Sequence, residues 1–235
     1  MKYFSVVPGI FIDRPNRFIA HVLIGGKTET VHVKNTGRCR ELLIEGAEVW
    51  LEPSSNPARK TAYDLIAVRK AGGLLVNIDS QAPNKVAHEW LKTQSFSRII
   101  PEYTYGGSRI DFYLERDSER CLVEVKGCTL ERDGVGYFPD APTERGVKHL
   151  RVLAGATSNG YCAAVLFVIQ MDGVTEVRPN TDTHPAFAAS LDEARAAGVA
   201  VLFLPCHAEP HGLWAAGPVL SPGPIPGHRK SAINM

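Results

Sequence analysis

The chain has 235 residues, 44% of them hydrophobic and 22% charged, which is enough for one large domain or two small ones with a sizeable core. Its formal net charge of +1 does not by itself indicate a polyanionic partner, although residues 1–80 contain 11 Lys and Arg against 8 Asp and Glu. Five scattered cysteines without a Cys-x-x-Cys pair exclude a disulfide framework and a zinc ribbon, and the lack of an apolar leader or of a run of about 18 apolar residues predicts a cytoplasmic protein with no membrane span.

The first 80 residues consist of short strand-like runs separated by turns. Strands are predicted at residues 18–24, 29–33, 48–51, 62–68 and 74–78. Paired glycines at two of the turns are typical of hairpins, and residues 40–43 fit a short helix. So many short strands in so short a segment predict a small all-β barrel.

A helix is predicted over residues 83–93, opening at Pro83 and Asn84. Val86, Glu89 and Trp90 fall on one face of it. An acidic residue on an apolar helix face is unusual, so Glu89 is a candidate functional carboxylate, although it also fits the edge of that face.

Residues 106–126 contain two strand-like runs around a charged turn of six residues, 115–120. Because side chains alternate along a strand, Asp111 shares a face with Arg109 and Tyr113, while Ile110, Phe112 and Leu114 share the other. On the second run Glu124 and Lys126 share a face. Pairing the two runs as a hairpin therefore predicts that Asp111 lies beside Glu124 and Lys126.

Two half-buried carboxylates repel each other, and a divalent cation relieves that repulsion. Mg²⁺ or Mn²⁺ is the cofactor that such a pair predicts, because Mg²⁺ is held by one or two carboxylates together with waters and phosphates. The Lys126 ammonium is then placed to orient a water or to stabilise charge on phosphorus. A surface hairpin with an ordinary salt bridge fits the same three residues.

After residue 126 the pattern changes to strands alternating with helices. Residues 127–142 are predicted to form a loop in which Thr129 and Asp140 are polar neighbours of the site, and a helix begins at Thr143. Further elements are a buried strand at 161–169, a helix at 185–197 and a strand at 199–204. This succession predicts an α/β domain, followed by a flexible Pro- and Gly-rich tail at 215–235.

Several motifs resemble known families. Asp111 with Glu124-Val125-Lys126 resembles the core of the PD-(D/E)XK nuclease superfamily. A wider set of motifs comprises Arg14-Pro15-Asn16-Arg17-Phe18, Asn35-Thr36-Gly37-Arg38, Arg109-Ile110-Asp111-Phe112, Glu124-Val125-Lys126, Tyr137-Phe138-Pro139-Asp140-Ala141, Thr143-Glu144-Arg145-Gly146 and Lys148-His149-Leu150. Together these motifs resemble the sugar fermentation stimulation protein A family over roughly residues 1–213.

The resemblance implies an OB-fold-like, nucleic-acid-binding domain over residues 1–80 and a PD-(D/E)XK nuclease-like α/β domain over 81–214. It implies hydrolysis of phosphodiesters with Mg²⁺ or Mn²⁺, in which Asp111 and Glu124 bind the metal and Lys126 positions the attacking water. Glu89 matches a helix glutamate of these families and would be an outer metal ligand or a general base.

Nucleic acid is the expected partner, with DNA favoured over RNA and the oligomeric state left open. The basic residues expected to contact phosphates are Arg14, Arg17, Lys34, Arg38, Arg40, Arg145, Lys148 and Arg151. The last three are spaced along one side of the predicted helix. A solvated basic surface is the competing interpretation for each of them.

Two other function classes stay open. The family's association with DNA binding and with sugar (maltose) metabolism implies a non-catalytic DNA-binding regulator as the alternative to an enzyme. The family name suggests a sugar-binding protein, but no aromatic-rich carbohydrate platform is present in the sequence. The intact Asp111, Glu124 and Lys126 favour the enzyme, since binding alone needs no carboxylates facing a polyanion.

Overall fold

The computed structural model describes residues 1–35 and 37–221 and confirms the predicted N-terminal barrel. Its strands are β1 (Val7–Asn16), β2 (Ile19–Ile24), β3 (Lys27–Val33), β4 (Glu48–Pro53), β5 (Tyr63–Arg69) and β6 (Leu75–Asn77). They pair in the order β3-β2-β1-β4-β5-β6, and a parallel contact of β3 with β5 closes the first five strands into an OB-type barrel. Alternating apolar residues such as Val22, Val31 and Leu51 are fully buried inside it.

The short helix expected at residues 40–43 is wrong. The structure has a turn there, in which the N–H groups of Leu42 and Leu43 both donate to the carbonyl of Cys39. Cys39 itself has φ +47°, which is outside the right-handed helical region. One isolated turn is too short to propagate as a helix.

The second domain is a mixed six-stranded sheet with helices on both faces. Its elements are α1 (Ala82–Leu91), β7 (Arg98–Tyr105), β8 (Ser108–Arg116), β9 (Glu119–Cys128), α2 (Glu144–Ser158), β12 (Cys162–Ile169), α3 (Pro185–Ala196), β14 (Ala200–Glu209) and β15 (Gly212–Ala215). The strand order is β15-β14-β12-β9-β8-β7, and β9, β12 and β14 are parallel. α1 packs on one face, against Val123 and Val125. α2 and α3 pack on the other, against Leu122 and Phe167.

The predicted loop at residues 127–142 contributes two strands to an unexpected small sheet. It is formed by β10 (Leu130–Arg132), β11 (Val135–Phe138) and β13 (Val177–Pro179). β10 and β11 are joined by a tight turn at Asp133 and Gly134, both with positive φ. The positive φ of Gly134 therefore serves a hairpin turn within the segment predicted to be a loop. The helix start predicted at Thr143 is confirmed, because its side chain accepts a 3.1 Å hydrogen bond from the Gly146 N–H.

The hairpin β8–β9 forms as predicted but with a shorter turn. Only Asp117 and Ser118 lie between the strands, while Arg116 pairs with Glu119 in the ladder. Asp117 adopts φ +52°, a left-handed conformation that Asp tolerates. Of the other charged residues expected in the turn, Glu115 and Arg116 are partly buried at the end of β8, and Glu119 and Arg120 are exposed at the start of β9.

The strict alternation expected along β8 breaks at Asp111. Ile110 packs into the same core as Tyr113, whereas Phe112 and Leu114 pack into the core on the other face. The prediction that Ile110, Phe112 and Leu114 share a face is therefore wrong. The β8–β9 ladder ends at Phe112, and Glu102 on the neighbouring strand has φ +57°. The alternation of the two faces along β8 is therefore interrupted at Asp111.

The two domains meet at a buried polar network. The amide nitrogen of Gln170 donates to the carbonyls of Asn77 and Asp79, at 3.0 and 3.1 Å. Asn77 donates to the hydroxyl of Tyr3 at 2.9 Å, and that hydroxyl donates to Asp79 at 3.2 Å. Around it, one hydrophobic cluster continues from the barrel interior to the α2 side of the large sheet.

The flexible tail predicted from residue 215 begins too early. Ala215 belongs to β15, the Ala216 N–H donates to the Pro205 carbonyl at 2.9 Å, and Leu220 forms an antiparallel bridge with Phe203. The rest of that prediction, residues 222–235, lies outside the described residues. None of the helices formed by residues 1–35 and 37–221 has the length and apolar character that a membrane span needs.

Candidate active site

Asp111 lies in β8 and is fixed from two sides. The amide of Asn84, in the first turn of α1, donates to Oδ1 at 2.8 Å, and the backbone N–H of Val125 donates to Oδ2 at 2.7 Å. α1 and β9 therefore converge on one carboxylate. The amide of Val125 also places Asp111 next to Glu124 on the facing strand.

Glu124 is almost completely buried, with 3% of its surface exposed. Its Oε1 atom contacts both the Lys126 ammonium and Nδ1 of His149, which lies on α2. Its Oε2 atom is buried and has no hydrogen-bond partner among the described residues. Leaving a buried carboxylate oxygen unpaired costs free energy, so Oε2 is the atom of the site that lacks a ligand.

The pKa values of the two carboxylates are shifted in opposite directions. Burial, followed by the charge of Glu124, raises the pKa of Asp111 above its ordinary value. Burial also acts to raise the pKa of Glu124, but the contacts with His149 and Lys126 outweigh it, so the net pKa of Glu124 is lowered. Glu124 therefore holds its negative charge firmly, whereas Asp111 ionises against the field of its neighbour.

This donor set fits a divalent cation that prefers oxygen ligands. Asp111 and Glu124 provide carboxylate oxygens, and the orphaned Oε2 of Glu124 is the acceptor that a cation would satisfy. In the part of the chain that the structure describes, no three His, Cys, Asp or Glu side chains are grouped to hold a metal. Waters and substrate oxygens would have to complete the coordination, as is usual for Mg²⁺.

The structure does not bring Glu89 to this site. Its carboxylate forms a 2.7 Å ion pair with the amino group of Met1, and 58% of its side chain is exposed. The position of α1 on the sheet explains why Glu89 lies away from Asp111 although it shares a helix face with Val86 and Trp90. α1 covers one face of the sheet, and only its first turn, with Asn84, reaches Asp111.

Two of the basic residues expected on a phosphate-binding surface have internal roles instead. The Arg14 guanidinium donates to four backbone carbonyls, those of Arg17, Asn35, Gly37 and Arg38. The Lys34 ammonium lies between three carboxylates, 3.8, 3.3 and 3.5 Å from Glu52, Asp64 and Asp79. Both cations therefore interact with other residues of the N-terminal domain. Short sequence patterns do not predict such tertiary contacts.

The remaining basic residues are on the surface. Arg17 lies over the ring of Phe18, and Arg38 and Arg40 are exposed. Arg145, Lys148 and Arg151 follow the exposed side of α2 and line a shallow groove with Val147 and Val152. This row begins one helical turn from His149, so α2 connects the basic surface to the carboxylate site.

Sequence analysis missed two residues of the site. Asn84 was noted only as a helix start, and a polar side chain in a first turn gives little sign of a tertiary contact. His149 lies inside a motif, Lys148-His149-Leu150, that was used only for its resemblance. Its position on the buried side of the helix, among Gly146, Val147, Leu150 and Leu153, is the signal that could have identified it.

Comparisons with known proteins cover most of the chain. A family model described as the SfsA N-terminal OB domain matches residues 12–78, and one described as the sugar fermentation stimulation protein RE domain matches residues 81–212. A sugar fermentation stimulation protein homolog of Desulfitobacterium hafniense (strain DSM 10664 / DCB-2) is 55% identical over 209 residues, covering 88% of this chain and 91% of the relative. A homolog from Ruminiclostridium cellulolyticum is 51% identical over 213 residues, covering 89% and 94%.

A solved structure is also similar to this chain. It is the structure of Pyrococcus furiosus SfsA in complex with Ca²⁺, which superposes with a TM-score of 0.81 at 29% sequence identity. The match covers 95% of this chain and 96% of the other.

Proposed function

Because the chain belongs to the sugar fermentation stimulation protein (SfsA) family, we propose that it binds nucleic acid and hydrolyses its phosphodiester bonds with a divalent cation held by Asp111 and Glu124. The observation that carries the proposal is the buried, unpartnered Oε2 of Glu124 beside a second carboxylate. A protein that only binds a polyanion gains nothing from two buried carboxylates.

The Ca²⁺ complex of the P. furiosus relative supports a cation site in this fold. Ca²⁺ and Mg²⁺ both take oxygen ligands, and the proposed pair supplies two carboxylates. Mg²⁺ or Mn²⁺ is the proposed cofactor, which would polarise a phosphoryl oxygen and lower the pKa of a bound water.

The side chains around the carboxylates have distinct proposed roles. Lys126 keeps 15% of its side chain exposed while its ammonium contacts Glu124, so it can orient an incoming water or stabilise charge on phosphorus. Asn84 and the Val125 N–H hold Asp111 in one orientation. Fixed ligands and a fixed cation lower the reorganisation needed at the transition state.

Nucleic acid would bind along the basic side of α2 and the exposed arginines of the barrel. Arg145, Lys148 and Arg151 are the proposed phosphate contacts next to the site, with Arg17, Arg38 and Arg40 on the barrel. DNA in the cytoplasm is the proposed substrate, ahead of RNA.

A second candidate is a DNA-binding regulator of sugar metabolism without catalytic activity. It is favoured by one observation. The Lys126 ammonium already pairs with Glu124 and His149 also contacts the same oxygen, so this carboxylate has a cationic partner without a metal.

A metal-binding and cleavage experiment separates the two. Mn²⁺ is titrated calorimetrically into the wild type and Asp111→Asn, and both are incubated with single- and double-stranded DNA and RNA in Mg²⁺, Mn²⁺ or chelator. We expect the wild type alone to bind metal and to cleave. Metal binding without turnover on any substrate would favour the regulator, and no metal binding at millimolar concentration would remove the hydrolytic function.

A further inference from the structure

A chain of three side chains runs from the surface of α2 to the buried carboxylate. Nε of the exposed Arg145 lies 3.5 Å from Nε2 of His149, and Nδ1 of His149 contacts Oε1 of Glu124. His149 is 5% exposed and Glu124 3% exposed, so the inner contact is shielded from water.

The donors and acceptors assign one tautomer to His149. An arginine Nε–H can only donate, so in this contact Nε2 of His149 is the acceptor. The ring proton is then on Nδ1 and is donated to the Glu124 carboxylate. Each link in the chain therefore has one donor and one acceptor.

We propose that Arg145 and His149 are positioning residues, which hold Glu124 by its Oε1 atom so that Oε2 points to a divalent cation. This inference rests on the proposed function. With Oε1 bonded to both His149 and Lys126, the carboxylate plane is fixed and the second oxygen is left for a ligand. Residues behind a metal ligand typically change metal affinity by 10- to 100-fold when they are removed.

Arg145, the outermost of these three side chains, links this positioning to the substrate. A guanidinium has five N–H donors, and only Nε of Arg145 is directed at His149. The terminal nitrogens of Arg145 remain at the surface for a phosphate oxygen. A phosphate bound there would order Arg145 and, through His149, Glu124, so phosphate and cation should strengthen each other's binding.

Four variants test the assignment by the Mn²⁺ dissociation constant without nucleic acid. His149→Phe keeps the ring but removes both nitrogens, and we expect Mn²⁺ to bind at least tenfold more weakly. His149→Asn restores a donor near the Nδ1 position and should recover most of that loss. Arg145→Met removes the outer link and should weaken Mn²⁺ binding severalfold. Lys148→Met removes the same charge from the same helix without touching His149, and should change Mn²⁺ affinity less than twofold.

A readout without metal accompanies the titration. In nitrogen-15 spectra of the metal-free protein, His149 should show the Nδ1–H tautomer, and Arg145→Met should shift its Nε2 signal while Lys148→Met does not. Metal-free melting temperatures identify any variant that fails to fold. Arg145 is exposed on a helix, so Arg145→Met remains a valid test even if His149→Phe unfolds.

The outcomes are separable from those of the proposed function. Wild-type Mn²⁺ affinity in folded His149→Phe and Arg145→Met, or an Nε2–H tautomer, would overturn the positioning roles and leave the proposed hydrolysis standing. A wild type that binds no Mn²⁺ would overturn both. Equal weakening by Arg145→Met and Lys148→Met would show a general charge effect and would also overturn the inference.

Discussion

The backbone N–H of Val125 donates a 2.7 Å hydrogen bond to Oδ2 of Asp111, so the strand that carries Glu124 also fixes the second carboxylate. The two acidic groups therefore cannot move apart without breaking the end of the β8–β9 pair. This relationship concentrates negative charge at one buried place, and the pKa of Asp111 is raised by burial and by Glu124 as a result.

The first prediction concerns Asp111→Asn. A raised pKa means that the folded state holds the Asp111 proton more tightly than the unfolded state, so this group's contribution to stability is lost as pH rises through the folded pKa. We expect metal-free Asp111→Asn to gain stability relative to wild type as pH rises from 4 to 8, measured by urea unfolding with chelator.

Mn²⁺ should raise the melting temperature of the wild type and not of Asp111→Asn. Asp117→Asn in the exposed turn is the control and should keep the metal response; an equal Mn²⁺ shift in Asp111→Asn would remove Asp111 from the site.

The second prediction separates Lys126 from Glu89. Lys126→Met keeps the stem length and removes the ammonium, so single-turnover cleavage should fall by about 100-fold or more while DNA binding is retained. Glu89→Gln should retain cleavage within about twofold, because Glu89 pairs with the Met1 amino group and lies outside the site. Parallel losses of melting temperature and cleavage in Lys126→Met would instead mark Lys126 as a structural partner of Glu124.

The third prediction concerns Arg14. Lysine keeps the charge but cannot donate to four carbonyls in the planar geometry of a guanidinium. Arg14→Lys should therefore lose about 2 kcal/mol of unfolding free energy, and the slope of log DNA affinity against log salt should not change. Lys148→Ala is the opposite case: stability should hold, and the slope should become shallower by about 0.7 to 0.9, the value of one phosphate contact. An unfolding free energy of Arg14→Lys equal to that of the wild type would contradict this structural role of Arg14.

The fourth prediction concerns Gly127, the residue after Lys126. A Cβ atom there would lie 2.3 Å from Oε1 of Gln170 and 2.6 Å from Cγ of Pro83. Gln170 is pinned at the domain junction, so Gly127→Ala should lose about 1 to 3 kcal/mol of unfolding free energy. Gly155→Ala is the matched control on α2. Among residues 1–35 and 37–221, no atom lies within 4 Å of its Cβ position, and alanine there should gain about 0.5 to 1 kcal/mol of unfolding free energy. Urea unfolding measures both, and equal stability of the two variants would contradict the close approach at Gly127.

The fifth prediction concerns acid stability. Burial acts to raise the pKa of Asp64, but hydrogen bonds from Arg59 and His32 and the charge of Lys34 lower it to about 2. A carboxyl whose pKa is lowered by folding stabilises the folded state at pH values above its pKa in the unfolded state. That stabilisation is lost as the pH falls toward its pKa in the folded state. This group should contribute about 2 kcal/mol at neutral pH and lose about 1 kcal/mol of that by pH 3.

The comparison variant for acid stability is Asp64→Asn. It should be less stable than wild type at pH 7, and the difference in unfolding free energy between the two proteins should decrease as the pH falls to 3. Asp13→Asn, at an exposed pair with His21, should show no such narrowing. A gap between wild type and Asp64→Asn that stays constant with pH would contradict the depressed pKa.

Periodicity predicted most of the fold because the main elements bury clear apolar faces. The continuous apolar run of β12, the N-cap at Thr143 and the glycine turns of the barrel each have local causes. The small sheet at residues 130–138 was not predictable, because β11 pairs in parallel with β13 some 40 residues away. Local patterns do not specify such pairings.

The candidate site was only partly predictable for a similar reason. The hairpin placed Asp111 near Glu124 because both lie in one local unit. His149 and Asn84 reach the same place from two helices, and only the crossing of those helices over the sheet brings them there. Some residues have the right type for the site or for phosphate contacts but interact elsewhere in the fold. These are Glu89, Arg14 and Lys34, which form ion pairs or hydrogen bonds with other parts of the chain.

The network of Gln170 with Asn77 and Asp79 bears on how this protein can be divided. The two family models meet between residues 78 and 81, which is where that network is buried. A cut there would expose the shared apolar cluster and break the buried hydrogen bonds that join Gln170 to Asn77 and Asp79. The barrel and the sheet are therefore not interchangeable modules. Neither half could be lost or recombined into another protein without redesigning the surface between them, so the two are expected to be inherited together.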